Sequence, residues 1–191
     1  MLYNLLRFCI FLSLRIFFDL KIQGKELLPQ GGAFILAANH ISNLDPLVVG
    51  LLPREKVYFL AKEELFSPPL WGSFLRFLGS VPLKRGRADF NAMKTALRCL
   101  KTGKPLIIFP QGGRGGKKAK PGVGFLYKKL NVPLMLARVQ GTDKVLPKGK
   151  KWFSRGQIRV AIERAENIDK NKDPQEIAAD ILEAIKRIVC Y

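Results

Sequence analysis

The chain has 191 residues, of which 48% are apolar, and its 33 Lys and Arg against 15 Asp and Glu give a formal net charge of +18. This length and apolar content suit one domain with a sizeable core and exclude a solvated basic tail. The charge predicts an anionic partner, which could be nucleic acid, a membrane surface or a phosphorylated substrate. Because apolar residues are abundant, we favour an anionic membrane.

The cysteines of the chain, Cys9, Cys99 and Cys190, lie far apart and form no CxxC pair. Neither a zinc site nor a disulfide framework is therefore expected. This usage favours a reducing, cytosol-facing location.

Residues 1–20 are the most apolar stretch, but Arg7 and Arg15 interrupt them before any run reaches the ~18 apolar residues of a spanning helix. A signal peptide is not expected, because a positive n-region and a cleavage site are missing. We predict a membrane-interfacial helix over residues 1–20, whose arginines reach toward lipid headgroups, followed by one domain over residues 21–191. The alternative is a terminal helix packed on the protein's own core.

From residue 24 onward, apolar runs alternate with segments of helical spacing. The runs predict strands at residues 33–38, 57–61, 81–83, 106–109, 133–139 and 157–162. The helical segments are residues 69–78, 88–101, 122–130 and 174–189. The alternation predicts a single-domain α/β fold with a mixed, mostly parallel sheet flanked by helices.

Residues 39–46 hold the only histidine of the chain, His40, with Asp45 five positions later. Histidine is the side chain best suited to exchange a proton near neutral pH, and a carboxylate can fix its tautomer. Asp45 and Pro46 also resemble an N-cap and a first helical residue, which predicts a short helix through about residue 52. The alternative is that Asp45 only caps this helix and that His40 is only a turn residue.

A second polar loop, residues 110–116 with the sequence PQGGRGG, follows the strand at 106–109. Ligands of open α/β sheets gather outside the carboxyl ends of strands, so this loop and residues 39–46 are expected to face one site. Arg85 and Arg114 each follow a short apolar strand, and a guanidinium binds phosphate oxygens bidentately. The alternative for each arginine is a plain surface position.

Four blocks of the chain, in this order, resemble the glycerolipid acyltransferases typified by 1-acyl-sn-glycerol-3-phosphate acyltransferase. The first block is the NHxSxxD pattern of that family, matched by Asn39, His40, Ser42 and Asp45. The second is a glycine with an arginine six positions later, Gly79 and Arg85. The third, residues 109–115, resembles FPEGTR-S, and the fourth is the valine-proline strand start at residues 132–135.

The sequence departs from this family in four places. Its third block has Gln111 for glutamate, Gly113 for threonine and Gly115 for serine, and Leu136 stands where a second proline is common. Glutamine keeps the length and a hydrogen-bonding carbonyl of glutamate but loses the negative charge. A role that needs a carboxylate at this position is therefore excluded, whereas a positioning role remains.

The resemblance implies that His40 is the general base that takes the proton from the free hydroxyl of a lysophospholipid, and that Asp45 orients it. The hydroxyl then attacks the thioester of acyl-CoA or acyl-carrier protein directly, so no protein nucleophile, metal or further cofactor is expected. The implied reaction converts lysophosphatidic acid to phosphatidic acid. The implied ligands of phosphate or of the oxyanion are Arg85, Arg114, Gly112 and Gly113. The supporting residues are Asn39, Ser42, Gln111 and Lys84.

The resemblance also implies an enzyme on the cytoplasmic face of a membrane, with the bacterial inner membrane favoured, and anionic lipid as a partner. Two alternatives stay open: the same chemistry on another lysolipid or an aminolipid, and a non-catalytic binder of anionic lipid. A nucleic-acid module is not expected, because no basic strand pattern with interleaved aromatic residues occurs. Nothing in the sequence sets an oligomeric state.

Two further apolar features have competing interpretations. Residues 66–78 could line an acyl channel, dip into a bilayer or form a core helix. Trp152 and Phe153, inside the basic run at 148–155, could anchor the protein at a membrane interface or belong to the core.

Overall fold

The computed structural model of the protein describes residues 2–84, 89–150 and 152–191. These residues form an α/β domain around one seven-stranded sheet. The strands are β1 (Lys21–Gln23), β2 (Ile35–Ala38), β3 (Tyr58–Lys62), β4 (Ser80–Leu83), β5 (Leu106–Ile108), β6 (Leu134–Gln140) and β7 (Arg159–Arg164). The helices are α1 (Leu2–Phe18), α2 (Asp45–Gly50), α3 (Pro69–Phe77), α4 (Phe90–Lys101), α5 (Gly122–Lys129), α6 (Thr142–Val145) and α7 (Pro174–Arg187).

The strand order across the sheet is β1-β7-β6-β2-β5-β3-β4. Strands β2 to β6 run parallel to one another, whereas β7 is antiparallel to β6 and parallel to β1. This confirms the predicted mixed, mostly parallel sheet. Because parallel strands end at the same edge, the carboxyl ends of β6, β2, β5, β3 and β4 lie along one side of the domain.

The sheet is buried on both faces, as its central strand shows. In β2, Leu36 and Ala38 pack into one apolar cluster, and Ile35 and Ala37 pack into another. Helices α1 and α2 contribute to the first cluster, and α4, α5 and α7 to the second. All four β2 side chains are fully buried, which explains why this strand reads as a continuous apolar run.

Two elements of the fold escaped the sequence patterns. Strand β1 has three residues and pairs in parallel with β7, from Lys21 opposite Arg159 to Gln23 opposite Ala161. Helix α6 has four residues directly after β6. Both are too short to show a period, and the pairing of β1 depends on a strand far along the chain.

The prediction that Asp45 is the N-cap of α2 is wrong. Helix α2 begins at Asp45, and Leu44 occupies the capping position without a side-chain hydrogen bond. The Asp45 carboxylate instead points back to the preceding loop, where Oδ2 accepts from the N–H groups of Ile41 (2.6 Å) and Ser42 (2.7 Å). The carboxylate therefore serves the loop that contains His40.

Helix α1 packs on the core through one face. Leu14 is buried there, and Ile10, Phe11 and Phe18 pack beside it. Arg7 does not point outward, since its Nη1 donates to the carbonyl of Arg54 at 2.7 Å. The prediction that Arg7 reaches toward headgroups is thus wrong, because the arginine ties α1 to the turn after α2. Among the described residues, no helix is both long and apolar enough to cross a membrane.

The remaining apolar features lie at the surface. Leu70 and Trp71 of α3 are 89% and 51% exposed, and Gly72 is the buried residue of that helix. Trp152 and Phe153 are 86% and 58% exposed. Phe66, before α3, is buried, but α3 exposes most of its apolar side chains, so the interpretation of this segment as a core helix is wrong. The interpretation of Trp152 and Phe153 as core residues is wrong as well.

Candidate active site

The site forms where β2 and β5 end side by side. His40 follows β2 and Gln111 follows β5, and these strands are direct neighbours in parallel register. The end of β6, on the other side of β2, completes the arrangement. The two polar loops, which are distant in sequence, therefore meet at this edge of the sheet, as we predicted.

His40 and Asp45 form a hydrogen-bonded pair. Nδ1 of His40 lies 2.9 Å from Oδ2 of Asp45, and their side chains are 13% and 0% exposed. The Asp45 carboxylate also accepts from the N–H groups of Ile41 and Ser42 and from the Thr142 hydroxyl, whose Oγ1 lies 2.5 Å from Oδ1. These three partners all donate hydrogen bonds to the Asp45 carboxylate, which acts as the acceptor. Nδ1 of His40 therefore carries a proton and donates the fourth hydrogen bond.

This pairing leaves Nε2 of His40 as the nitrogen with a free lone pair in the neutral ring. No residue in the described parts of the chain hydrogen-bonds Nε2. The ring stacks on Phe109, with centroids 4.5 Å apart and planes inclined by 26°. Phe109 and Asp45 together hold the imidazole in a fixed plane, so Nε2 is available to a substrate hydroxyl.

Gln111 joins the two polar loops through both ends of its amide. Its Oε1 accepts from the backbone N–H of His40 at 2.6 Å, and its Nε2 donates to the carbonyl of Gly116 at 2.9 Å. The N–H of Gly115 donates in turn to the carbonyl of His40 at 2.9 Å. A Cβ at position 116 would lie 2.8 Å from the carbonyl oxygen of Gln111, so the close approach requires glycine there.

Asn39 and Ser42 fix the His40 loop against the segment that follows β6. The amide of Asn39 bonds both backbone groups of Val139, at 2.8 Å and 2.7 Å. It thereby continues the β2–β6 pairing beyond the last paired residues. The hydroxyl of Ser42 donates to the carbonyl of Leu146 at 3.0 Å and accepts from the N–H of Leu44. Both side chains thereby tie the His40 loop to the segment after β6.

The glycine-rich turn, residues 110–116, carries a backbone N–H group and a guanidinium beside the loop that contains His40. The N–H of Gly112 donates to the carbonyl of Phe109 at 2.9 Å, so it is used within the turn. No acceptor for the N–H of Gly113 occurs among the described residues. Arg114 is exposed, and the structure records no ion pair for it among the residues it describes. Gly113 and Arg114 are thus the members of the turn that are open to an anion.

The second predicted arginine, Arg85, lies outside the described residues. Its neighbour Lys84 directly follows β4, three strand spacings or ~14 Å across the sheet from His40. Asp89 accepts from the N–H groups of Lys84 (2.7 Å) and Ala92 (3.0 Å), and the hydrogen bonds from Ala92 and Lys84 lower the pKa of its carboxyl. Lys84 belongs to the same sheet edge but does not touch the His40 loop.

Two residues of the site were missed by the sequence analysis. Phe109 was assigned to a strand and to the third family block without a role at His40, and Thr142 was not considered. The stacking of Phe109 on His40 follows from the adjacency of β2 and β5, and the contact between Thr142 and Asp45 joins residues 97 positions apart. No group of three or more His, Cys, Asp or Glu side chains suited to a metal ion occurs among the described residues.

The chain matches the family model described as Acyltransferase over residues 19–140. The chain therefore belongs to the acyltransferase family. The match includes His40, Asp45 and the glycine-rich turn. The resemblance drawn from the four sequence blocks is thereby confirmed.

Particular relatives carry a more specific name. The 1-acyl-sn-glycerol-3-phosphate acyltransferase of Bacillus subtilis is 32% identical over 146 residues, which are 74% of this chain and 71% of the relative. The chloroplastic 1-acyl-sn-glycerol-3-phosphate acyltransferase BAT2 of Brassica napus is 31% identical over 162 residues, which are 80% of this chain but only 46% of that longer protein. The crystal structure of the 1-acyl-sn-glycerophosphate acyltransferase PlsC from Thermotoga maritima superposes with a TM-score of 0.71 at 30% identity, covering 90% of this chain and 70% of that one.

Proposed function

We propose that this protein transfers a fatty acyl chain from the thioester of acyl-CoA or acyl-carrier protein to the sn-2 hydroxyl of lysophosphatidic acid, giving phosphatidic acid. The observation that carries the proposal is the 2.9 Å contact between His40 Nδ1 and Asp45 Oδ2, beside the glycine-rich turn of a family member. The names of the relatives support the choice of acceptor.

In the proposed reaction, Nε2 of His40 takes the proton of the acceptor hydroxyl. The hydroxyl oxygen bonds to the thioester carbonyl carbon and forms a tetrahedral species with negative charge on the former carbonyl oxygen. The C–S bond then breaks, and the departing thiolate receives the proton from Nε2. Asp45 stabilises the imidazolium that exists between these two transfers.

The proposed anion ligands belong to the glycine-rich turn and to the segment after β4. The open N–H of Gly113 suits the oxyanion or a phosphate oxygen, and Arg114 supplies a guanidinium next to it. Lys84, farther along the same sheet edge, and Arg85, the next residue in the sequence, are proposed to bind the phosphate of the acceptor. A chain with a formal charge of +18 attracts such anionic lipids generally, so these roles rest on position rather than on charge alone.

The glutamine at position 111 is compatible with catalysis. Its Oε1 makes the hydrogen bond to His40 N–H that a carboxylate oxygen could also make, and its Nε2 adds a bond to Gly116 that a carboxylate could not donate. The loss of the family's negative charge therefore leaves the two loops joined. This contact pattern favours an enzyme over a non-catalytic lipid binder.

A panel of acceptors and donors tests the proposal. We expect the purified protein to acylate lysophosphatidic acid faster than lysophosphatidylcholine, lysophosphatidylethanolamine or an aminolipid, because Arg114, Lys84 and Arg85 suit a terminal phosphate. Each acceptor is offered with acyl-CoA and with acyl-carrier protein, and labelled products are separated by chromatography. Product from another acceptor alone would reassign the substrate, and no product from any pair would contradict acyl transfer.

The exposed side of α1 supports membrane association. Leu5, Phe8, Leu12 and Ile16 are 43% to 66% exposed and lie within about 80° of the helix circumference, opposite the buried Leu14. Tyr3, on the other side of α1, contacts Phe77 of α3 with ring centroids 6.2 Å apart, so α1 and α3 are neighbours and both carry exposed apolar side chains. We infer that the two helices place the protein on the surface of an anionic membrane without crossing it.

The double substitution Phe8→Ser with Leu12→Ser should weaken binding to vesicles that contain anionic phospholipid. Losing these two side chains from the interface removes about 2 kcal/mol, or roughly thirtyfold in affinity. Phe90→Ser is the matched control, because Phe90 is 81% exposed on α4, which packs on the opposite face of the sheet. Cosedimentation at physiological salt gives the affinities. Equal binding by the double variant and the wild type would refute the assignment of this surface.

A further inference from the structure

Thr142 is a polar residue buried beside the site without being part of any motif. It is the first residue of α6, two positions beyond the end of the family match at residue 140, and its relative exposure is 0%. Its hydroxyl donates to Oδ1 of Asp45 over 2.5 Å. Among the described residues, the buried polar or charged side chains are Ser42, Asp45 and Thr142, and the Thr142 hydroxyl points at the carboxylate that holds the histidine.

The two oxygens of Asp45 are held from different directions. Oδ2 receives the N–H groups of Ile41 and Ser42 together with Nδ1 of His40, all from the loop before α2. From the part of the chain that the structure describes, Oδ1 receives only the hydroxyl of Thr142. Without that hydroxyl, Oδ1 would be a buried acceptor with no partner among the described residues, and the carboxylate could turn about its Cβ–Cγ bond. Thr142 therefore sets the plane in which Oδ2 meets the imidazole.

The position of Thr142 is itself fixed by close backbone contacts. Gly141, just before it, has φ +83°, and a Cβ there would lie 1.9 Å from the carbonyl oxygen of Gln157. On either side, Asn39 bonds Val139 and Ser42 bonds Leu146. The segment that carries Thr142 is thus hydrogen-bonded to the His40 loop on both sides of this residue. Positioning a hydroxyl within a fraction of an ångström requires such support.

We propose that Thr142 is a positioning residue for the His40 and Asp45 pair, acting on the reaction through the orientation of the Asp45 carboxylate. Its effect on turnover rests on the proposed acyl transfer, whereas its effect on the histidine does not. Thr142→Val keeps the shape of the side chain and removes the hydroxyl. Thr142→Ser keeps the hydroxyl and removes a methyl group.

The state of His40 can be measured without substrate, because the chain has only one histidine. Nitrogen NMR of protein labelled in the imidazole should show the wild-type ring as the Nδ1–H tautomer, with a slowly exchanging proton on Nδ1. In Thr142→Val we expect that proton to exchange faster and the two nitrogen shifts to move toward a mixture of tautomers. Thr142→Ser should restore the wild-type spectrum.

Kinetics supply the second measurement. We expect Thr142→Val to lower kcat by about 10- to 100-fold with little change in KM for either substrate, because a misplaced base affects the transition state more than binding. Thr142→Ser should recover most of the loss. Ile181→Val, in the fully buried α7 core on the other face of the sheet, controls for stability alone.

Two results would overturn the proposal. One is a Thr142→Val protein with wild-type histidine signals. The other is a Thr142→Val protein whose loss of turnover equals that of a core variant of the same stability. If the wild type transfers no acyl group to any acceptor, the proposed function fails, and the NMR comparison still decides whether Thr142 positions the pair.

Discussion

Replacing His40 by alanine should lower kcat for acyl transfer by about 10²- to 10⁴-fold, the range that a positioned general base contributes. The substitution removes the group proposed to accept the hydroxyl proton and leaves the phosphate ligands in place. KM for both substrates should therefore change little. Steady-state rates with labelled donor, measured at saturating concentrations of both substrates, give this value.

The fold should tolerate His40→Ala. Asp45 keeps three of its four donors, from Ile41, Ser42 and Thr142, so the variant loses one hydrogen bond and the stacking on Phe109. We expect a cost of about 1–2 kcal/mol in the free energy of unfolding. Tyr191→Ala, which removes an exposed ring beside β1, three strands from β2, is the control for ring loss. A His40→Ala protein with the wild-type kcat would exclude His40 as the base.

Asp45→Asn should also lower kcat, by about 10²- to 10⁴-fold, because a neutral amide cannot stabilise the imidazolium formed during the reaction. The amide can keep its oxygen toward Ile41, Ser42 and His40 and direct its NH₂ group to the hydroxyl of Thr142, which can accept. We therefore expect folding, with a loss of about 1–3 kcal/mol in the free energy of unfolding.

Asp45→Ala separates the structural part of this effect. It removes every acceptor from the four donors, and we expect it to cost about 3–5 kcal/mol, more than the asparagine variant. Denaturant unfolding compares the stabilities, and kinetics at a temperature where all variants are folded compares kcat. If Asp45→Asn kept the wild-type kcat, the carboxylate would have a structural role alone.

The sequence predicted those parts of the site that lie within a few residues of each other. His40 and Asp45 are five positions apart in one loop, and the fully buried β2 before them reads as a continuous apolar run. Their contact is local, so spacing was a sound guide. The capping role given to Asp45 failed because its carboxylate finds better donors in the N–H groups of Ile41 and Ser42 than in its own helix.

Contacts between distant segments could not be read in the same way. Thr142 meets Asp45 only because β6 pairs with β2, and Phe109 meets His40 only because β5 pairs with β2 on the other side. The spacing of Arg7 and Arg15 is typical of an interfacial helix, yet the guanidinium of Arg7 donates to carbonyl groups that follow α2. In each case the contact depends on which strands and helices are neighbours in the folded domain, and no local sequence pattern specifies those neighbours.

The structure explains the departure from the family pattern at Gln111. From sequence, it excluded a carboxylate role and left a positioning role. In the fold, its amide spans from the N–H of His40 to the carbonyl of Gly116, which uses both its acceptor and its donor. Glutamine at position 111 therefore departs from the family pattern but still suits the site. Gln111 holds the backbone of His40, and Asp45 holds its ring.

The central claim is that this protein transfers the acyl chain of a thioester to the hydroxyl of a lipid and not to water. Its most direct measurement is the amount of free thiol and of acylated lysolipid formed together by the wild-type protein, with lysophosphatidic acid and a labelled acyl donor on anionic vesicles. We predict equal amounts of thiol and phosphatidic acid throughout the reaction. Thiol released with free fatty acid in place of phosphatidic acid would contradict the claim, because water would then be the acceptor.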